Sequence, residues 1–268
     1  MPPAKLSEIY RDPEHVVLTA HRGFSGKYPE NTLSAFQAAI DQGVEILEMD
    51  LHPTSDRVPV VIHDRTVDRT TDGTGEVTSL SLAEIKELNA SWWEGSQVED
   101  GFRRESPAEE NSTIPTFAEY LETFAGRVGM NIQVKSPPPA EMLAEICRLF
   151  KHHNLYETAY LSMGRYDEGS AVRAIDPKIP LCILEEQNRM DEASLRRQHH
   201  FGVACIQPMR KDVTPENCAI ARSLGLPTNV FWSNDAETTE QYVTAGVQGI
   251  LTDWPDRVHA ALVNLGKR

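Results

Sequence analysis

A chain of 268 residues, 40% hydrophobic and 25% charged, has the balance of a globular protein and the length of one large domain, which excludes a disordered or fibrous chain. Its formal charge of -14 argues against a general nucleic-acid binder, because nonspecific affinity for a phosphate backbone needs clustered Lys and Arg. No apolar run approaches the roughly 20 residues of a membrane span, and the polar start Met1–Glu14 has no apolar run of the secretory-signal kind, so the expectation is a cytoplasmic chain with no membrane span.

Short runs of β-branched and aliphatic residues predict strands at His15–Ala20, Val44–Leu51, Val58–Ile62, Gly129–Lys135, Thr158–Ser162, Ile179–Leu184, Val203–Gln207, Asn229–Trp232 and Gly249–Thr252. Helical patterns follow most of them, as at Asn31–Gln42, Pro139–His153, Thr214–Leu224 and Ala236–Ala245, several opening with Thr or Asn and ending near Gly. Strand-then-helix alternation predicts a parallel sheet, and about eight such units predict its closure into a (β/α)8 TIM-type barrel; an open doubly wound sheet is the alternative. The surplus strand implies that Val44–Leu51 and Val58–Ile62 are joined without a full helix.

A single domain over 1–268 is expected, with a small insertion at about 64–113, after the second or third strand. There the rhythm breaks at Thr71-Asp72-Gly73-Thr74-Gly75, the pair Trp92-Trp93 and the polar stretch Glu94–Thr113. This interval either covers the barrel mouth as part of a substrate pocket or is a solvated loop beside a helix at Ser81–Leu88.

Candidate chemistry gathers where strands end. Glu48 and Asp50 stand two apart on one strand, so both side chains face the same way and together offer carboxylate oxygens to a divalent cation. His21 and His63, each at a strand end, are suited to act as general acid and base on a phosphate ester held by that cation. His52 shares the face of Glu48 and Asp50 and reads as a pocket-lining or structural residue. Cys147, Cys182, Cys205 and Cys218 are scattered without metal-binding spacing and read as buried thiols, and His152-His153 and His199-His200 read as solvated helix ends.

His21-Arg22-Gly23, Pro29-Glu30-Asn31-Thr32, Glu48-x-Asp50, Thr54, Pro59-Val60, His63-Asp64, Asn131-Ile132-x-x-Lys135 and Thr252-Asp253-x-Pro255 together resemble the glycerophosphodiester phosphodiesterase family. The resemblance implies a (β/α)8 barrel with Ca2+ or Mg2+, a phosphoric diester hydrolase of glycerol and lipid metabolism whose partner is a small-molecule phosphodiester. It further implies that His21 and His63 are catalytic, Glu48 and Asp50 are metal ligands, and Arg22 and Lys135 contact the phosphate; internal salt bridges to Glu48 or Asp50 are the alternative for these two basic residues. In the implied mechanism one histidine deprotonates the glycerol hydroxyl beside the phosphate, a cyclic phosphate forms, and water opens it with the histidine roles reversed.

Two positions depart from the family pattern. Gln133 stands where an acidic metal ligand is usual; its oxygen still suits a hard cation but brings no charge, so weaker metal binding is expected. In Phe231-Trp232-Ser233-Asn234 the aromatic-to-Asn spacing is one residue longer than usual, leaving either Phe231 or Trp232 as the aromatic of the substrate pocket. Two further functions are kept: a phosphodiesterase forming a cyclic phosphate from a larger lysolipid-type substrate, and a non-catalytic barrel that binds a phosphorylated ligand.

Overall fold

The computed structural model describes residues 3, 5–12, 14–135 and 137–268; Met1, Pro2, Ala4 and Pro13 of the polar start lie outside the described residues. Seven parallel strands form a curled sheet, in sequence β1 (Val17–His21), β2 (Ile46–Pro53), then, past β3 (Pro59–Val61), β4 (Trp93–Glu94) and β5 (Phe102–Arg103), β6 (Gly129–Val134), β7 (Ala159–Met163), β8 (Leu181–Ile183), β9 (Asn229–Phe231) and β10 (Gly249–Thr252). Their order across the sheet is β8-β7-β6-β2-β1-β10-β9. As expected, β3 folds back antiparallel on β2 with no helix between them.

The predicted strand at Val203–Gln207 has no regular ladder, yet its backbone joins the two sheet edges. Ala204 N–H donates to Leu181 O on β8 at 2.7 Å, and Asn229 N–H on β9 donates to Ile206 O at 2.9 Å. Pro208 lacks the N–H of a ladder residue and helps explain the irregularity, although its carbonyl still accepts from Phe231 N–H. The result is a TIM-type α/β fold with this segment between β8 and β9.

Outside the sheet lie α2 (Leu33–Asp41), α4 (Phe117–Phe124), α5 (Ala140–His152), α6 (Tyr166–Ile175), α7 (Glu192–Phe201), α8 (Pro215–Ser223), α9 (Ala236–Ala245) and α10 (Pro255–Asn264), with the short α1 (Leu6–Ile9) and α3 (Leu82–Lys86). Local sequence sets their ends: Thr32 and Asp235 accept the amides of Ala35 and Thr238, Ser81 and Thr116 form capping boxes, and Gly202 and Gly246 end α7 and α9 in the left-handed conformation. The helices bury an aromatic layer against the sheet, where Phe36 meets Tyr120 edge-on at 4.8 Å and Phe124 at 5.9 Å.

Each barrel strand divides its residues by the period of two. Leu18 and Ala20, Leu47, Met49 and Leu51, and Met130, Ile132 and Val134 belong to the large core shared with the helices. The alternate positions grade along the strand from apolar to polar: Val17, Thr19, His21 on β1; Ile46, Glu48, Asp50, His52 on β2; Gly129, Asn131, Gln133 on β6. Val17, Ile46, Tyr160, Cys182 and Cys205 pack with Tyr10, which follows α1, into a small apolar cluster at the strand starts. The polar set is thereby left at the C-terminal rim, where active sites of this architecture lie. All four cysteines are free and buried.

The connection from β3 to α4 is not a loose loop. Val60, Ile62, Val67, Val77, Ile85, Ala90 and Ile114 form a separate hydrophobic cluster within it, and β4 and β5 pair as an antiparallel hairpin. Among the described residues no helix is long and apolar enough to cross a membrane.

Candidate active site

His21, the last residue of β1, lies in register with Glu48 of β2. Its Nδ1 is 2.6 Å from Asp253 Oδ1, just past β10. Asp253 also accepts from Ser25 Oγ at 3.0 Å, Ser96 Oγ at 2.5 Å and Asn234 Nδ2 at 3.1 Å. Burial opposes its charge, but the His21 ring and these donors hold its carboxyl below the usual carboxylate range. An ionised carboxylate only accepts, so His21 Nδ1 carries a proton toward Asp253 and Nε2 is the ring nitrogen left for proton exchange. Phe231 packs edge-on against the imidazole at 5.0 Å, while Trp232 packs on Phe231 at 5.1 Å. Phe231 is therefore the aromatic in contact with a candidate catalytic group.

A similar pairing occurs at His63. Its Nδ1 is 2.7 Å from Asp64 Oδ1, and Arg69 donates to both oxygens of Asp64, at 2.7 and 3.1 Å. Burial lowers the His63 pKa, partly opposed by Asp50 and Asp64. His52 Nε2 donates to the His63 carbonyl at 3.1 Å, and burial pushes its pKa down to about 4, which fits a neutral ring supporting the His63 backbone.

Glu48 and Asp50 are both buried, 2% and 0% exposed, so their charges need partners. Glu48 Oε2 accepts the Arg22 amide at 3.1 Å; burial and the neighbouring Asp50 raise its pKa to about 7. Asp50 is held well below the carboxylate range despite burial: Lys135 Nζ lies 2.7 Å from Oδ1, and Asn31 Nδ2 and Arg22 Nε lie 3.0 and 3.3 Å from Oδ2. Gln133, in register with Asp50, accepts from Lys135 Nζ at 3.0 Å. Arg22 and Lys135 are thus ion-paired to Asp50 in this structure, while Arg22 also donates to Glu30 at 3.0 Å and to Gln97.

The Arg22 backbone has φ 58° and that of Asn31 φ 59°, in the sparsely populated left-handed region. Reciprocal anchoring holds the turn: Arg22 N–H donates to Glu48 O, and Asn31 N–H donates to Arg22 O, each at 3.0 Å. Gly23, at φ 80°, completes it, since a Cβ there would lie 2.6 Å from the Ala35 carbonyl carbon.

The oxygens of Glu48, Asp50 and Gln133 suit a hard cation in kind. Asp50 Oδ1, beside Lys135, and Asn31 Oδ1 are buried oxygens without an aligned hydrogen bond, leaving lone pairs open to a further partner. Among the described residues no three His, Cys, Asp or Glu side chains gather into a group that could hold a metal ion.

Several groups in this network carried no assigned role in the sequence reading. Asp253, Asp64, Glu30 and Asn31 sit inside the motifs that supported the resemblance, and that membership was the available signal, with Asp64 also next to His63. Arg69, Ser96 and Gln97 come from the long connection and had none. Arg69 joins Glu30 through two 2.7 Å bonds and lies over the Trp93 ring at 4.8 Å. A cavity of about 860 Å3 opens elsewhere, at the strand starts, lined by Leu6, Tyr10, Val16 and Gln248 and by none of the candidate residues. We place the chemistry at the rim because the paired imidazoles and carboxylates stand there.

A TIM-type α/β fold with two carboxylate-paired histidines and buried carboxylates at its C-terminal rim has the arrangement of an enzyme site. The chain belongs to the glycerophosphoryl diester phosphodiesterase family, whose model matches residues 21–257. A glycerophosphodiester phosphodiesterase of Caldanaerobacter subterraneus is 30% identical over 259 residues, covering 94% of this chain and 98% of the relative. The crystal structure of glycerophosphodiester phosphodiesterase from Agrobacterium tumefaciens superposes with a TM-score of 0.75 at 26% identity, covering 91% of this chain and 99% of the other. An Oleispira antarctica phosphodiesterase in complex with the product sn-glycerol-3-phosphate gives 0.79 at 26% identity, covering 92% and 96%.

Proposed function

We propose that this chain hydrolyses glycerophosphodiesters to an alcohol and glycerol phosphate, using a divalent cation and two histidines. The observation that carries the reading is the pair of imidazoles at one rim, each giving Nδ1 to an ionised carboxylate and keeping Nε2 for proton transfer. Family membership and the product complex of the Oleispira relative support the substrate class.

One Nε2 takes the proton from the glycerol hydroxyl next to the phosphate, and that oxygen attacks phosphorus. The other imidazole, protonated, gives its proton to the departing alkoxide. Water then opens the cyclic phosphate with the roles exchanged. Asp253 and Asp64 stabilise whichever ring becomes the imidazolium, and Arg22 and Lys135 offer N–H donors to the phosphate oxygens. Glu48, Asp50 and Gln133 would hold a Ca2+ or Mg2+ ion, which when bound would neutralise charge on the diester. Phe231 and Trp232 line the pocket, and residues 64–113 act as an insertion forming its wall.

Assaying glycerophosphodiesters with Mg2+, Ca2+ and Mn2+ beside an EDTA control tests the proposal: alcohol release should require metal. Persistent turnover in EDTA would refute the cation's part, and no turnover under any condition would favour the ligand-binding barrel. A larger lysolipid-type alcohol is the second reading, favoured by Val98 and Phe102, 39% and 55% exposed in and beside the β4–β5 turn. Phosphorus NMR of the products distinguishes a released cyclic phosphate from glycerol phosphate.

A further inference from the structure

The turn after β4 contributes two adjacent polar side chains to the carboxylates that orient both histidines. Ser96 is 0% exposed, and its hydroxyl donates to Asp253 Oδ2 while Asp253 Oδ1 accepts from His21. Gln97 accepts from Arg22 and directs its amide at Asp64 Oδ1, 3.5 Å away, the same oxygen that accepts from His63. The turn is itself fixed: Gly101 N–H donates to Ser96 O at 2.7 Å, and the Trp93 indole N–H to Gly95 O at 3.1 Å. A hydroxyl buried this completely has no solvent partner, so its orientation is committed to the carboxylate.

We infer that Ser96 and Gln97 are positioning residues through which one turn of the long connection sets the orientation of His21 and His63 together. The inference rests on the acid–base reading above. Ser96 shares Oδ2 of Asp253 with Asn234 Nδ2, whose bond is the longer of the two at 3.1 Å, and so helps keep the carboxylate against Nδ1 and Nε2 in one direction. Gln97 spans Arg22 and Asp64, tying the phosphate-side guanidinium to the support of the other ring. Neither side chain need touch substrate; each acts through a carboxylate already bonded to an imidazole.

The decisive experiment uses the full chain with Ser96→Ala, Ser96→Thr and Gln97→Ala, steady-state kinetics on glycerophosphocholine, and proton NMR of the imidazole Nδ1–H signals. Ser96→Ala should lower kcat roughly tenfold to a hundredfold with KM within about twofold, the signature of a lost orienting contact. The His21 Nδ1–H resonance should shift or exchange-broaden in the same variant, and Ser96→Thr, which keeps the hydroxyl, should restore both. Gln97→Ala should act likewise on the His63 resonance, and it serves as the test if Ser96→Ala does not fold. Unchanged resonances with unchanged kcat in the folded variants overturn the inference, as does a kcat loss that leaves the resonances untouched. Turnover surviving His21→Ala would instead refute the acid–base reading, while the resonances still decide whether the turn orients the rings.

Discussion

Glu30 is a buried carboxylate that bridges two guanidinium groups without belonging to the site's reacting groups. It is 4% exposed and is held by Arg22 NH1 at 3.0 Å and by Arg69 through two bonds of 2.7 Å, and these cations lower its pKa against the opposing effect of burial. Glu30→Gln keeps the volume but points an amide N–H pair at guanidinium donors. Removing one member of a buried ion pair costs about 3–5 kcal/mol, because the remaining charge stays buried and underpaired. The lower end applies here, since Arg22 retains Asp50 and Gln97 and Arg69 retains Asp64. Urea unfolding followed by tryptophan fluorescence should therefore show a loss of about 3 kcal/mol, with Tm lower by about 6 °C for a chain of this size. A loss under about 1 kcal/mol at an unchanged denaturant slope would refute the claim that Glu30 neutralises this buried charge.

Three further outcomes are expected. His21→Ala and His63→Ala should each reduce kcat by at least about a hundredfold with the circular dichroism spectrum retained; activity within tenfold of the parent would remove that histidine from the chemistry. Gln133→Glu should tighten Mn2+ binding by about tenfold in calorimetric titration, since a third carboxylate in place of the neutral amide attracts the cation, and unchanged affinity would exclude Gln133 as a ligand. Glu45 is held ionised: burial raises its pKa, but His15, Arg268 and the Leu18 amide lower it further, leaving it below its usual 4.5. Its folded-state pKa is thus depressed, so the stability it contributes is present above about pH 4.5 and lost as pH falls through the folded value. Glu45→Gln should flatten acid destabilisation below pH 4.5 in urea titrations; an unaltered profile would contradict the assignment.

Much of this arrangement was legible because a strand has a period of two. Glu48 and Asp50 share a face from their spacing alone, and β2 turns both toward the rim polar set. The β-then-α alternation similarly foretold the barrel, including the direct β2–β3 connection. Val203–Gln207 was harder, because its apolar residues promised a ladder that Pro208 interrupts, leaving backbone bonds at alternate places. The partners of the histidines were less legible still. Asp253 meets His21 across 232 positions of chain, and Ser96 meets Asp253 across 157, so only the closed ring brings them together. For Arg22 and Lys135 the sequence left phosphate contact and ion pairing to Glu48 or Asp50 both open; the structure pairs both with Asp50.

The gradation along the inward-facing positions has a practical consequence for protein engineering. Height above the floor of the cylinder assigns each position its trade: Val17 and Ile46 hold the base shut, whereas His21 and Asp50, two inward-facing steps further along the same ribbons, stand in the polar rim. Substrate preference can accordingly be rewritten storey by storey at the top, with the foundations left as they are.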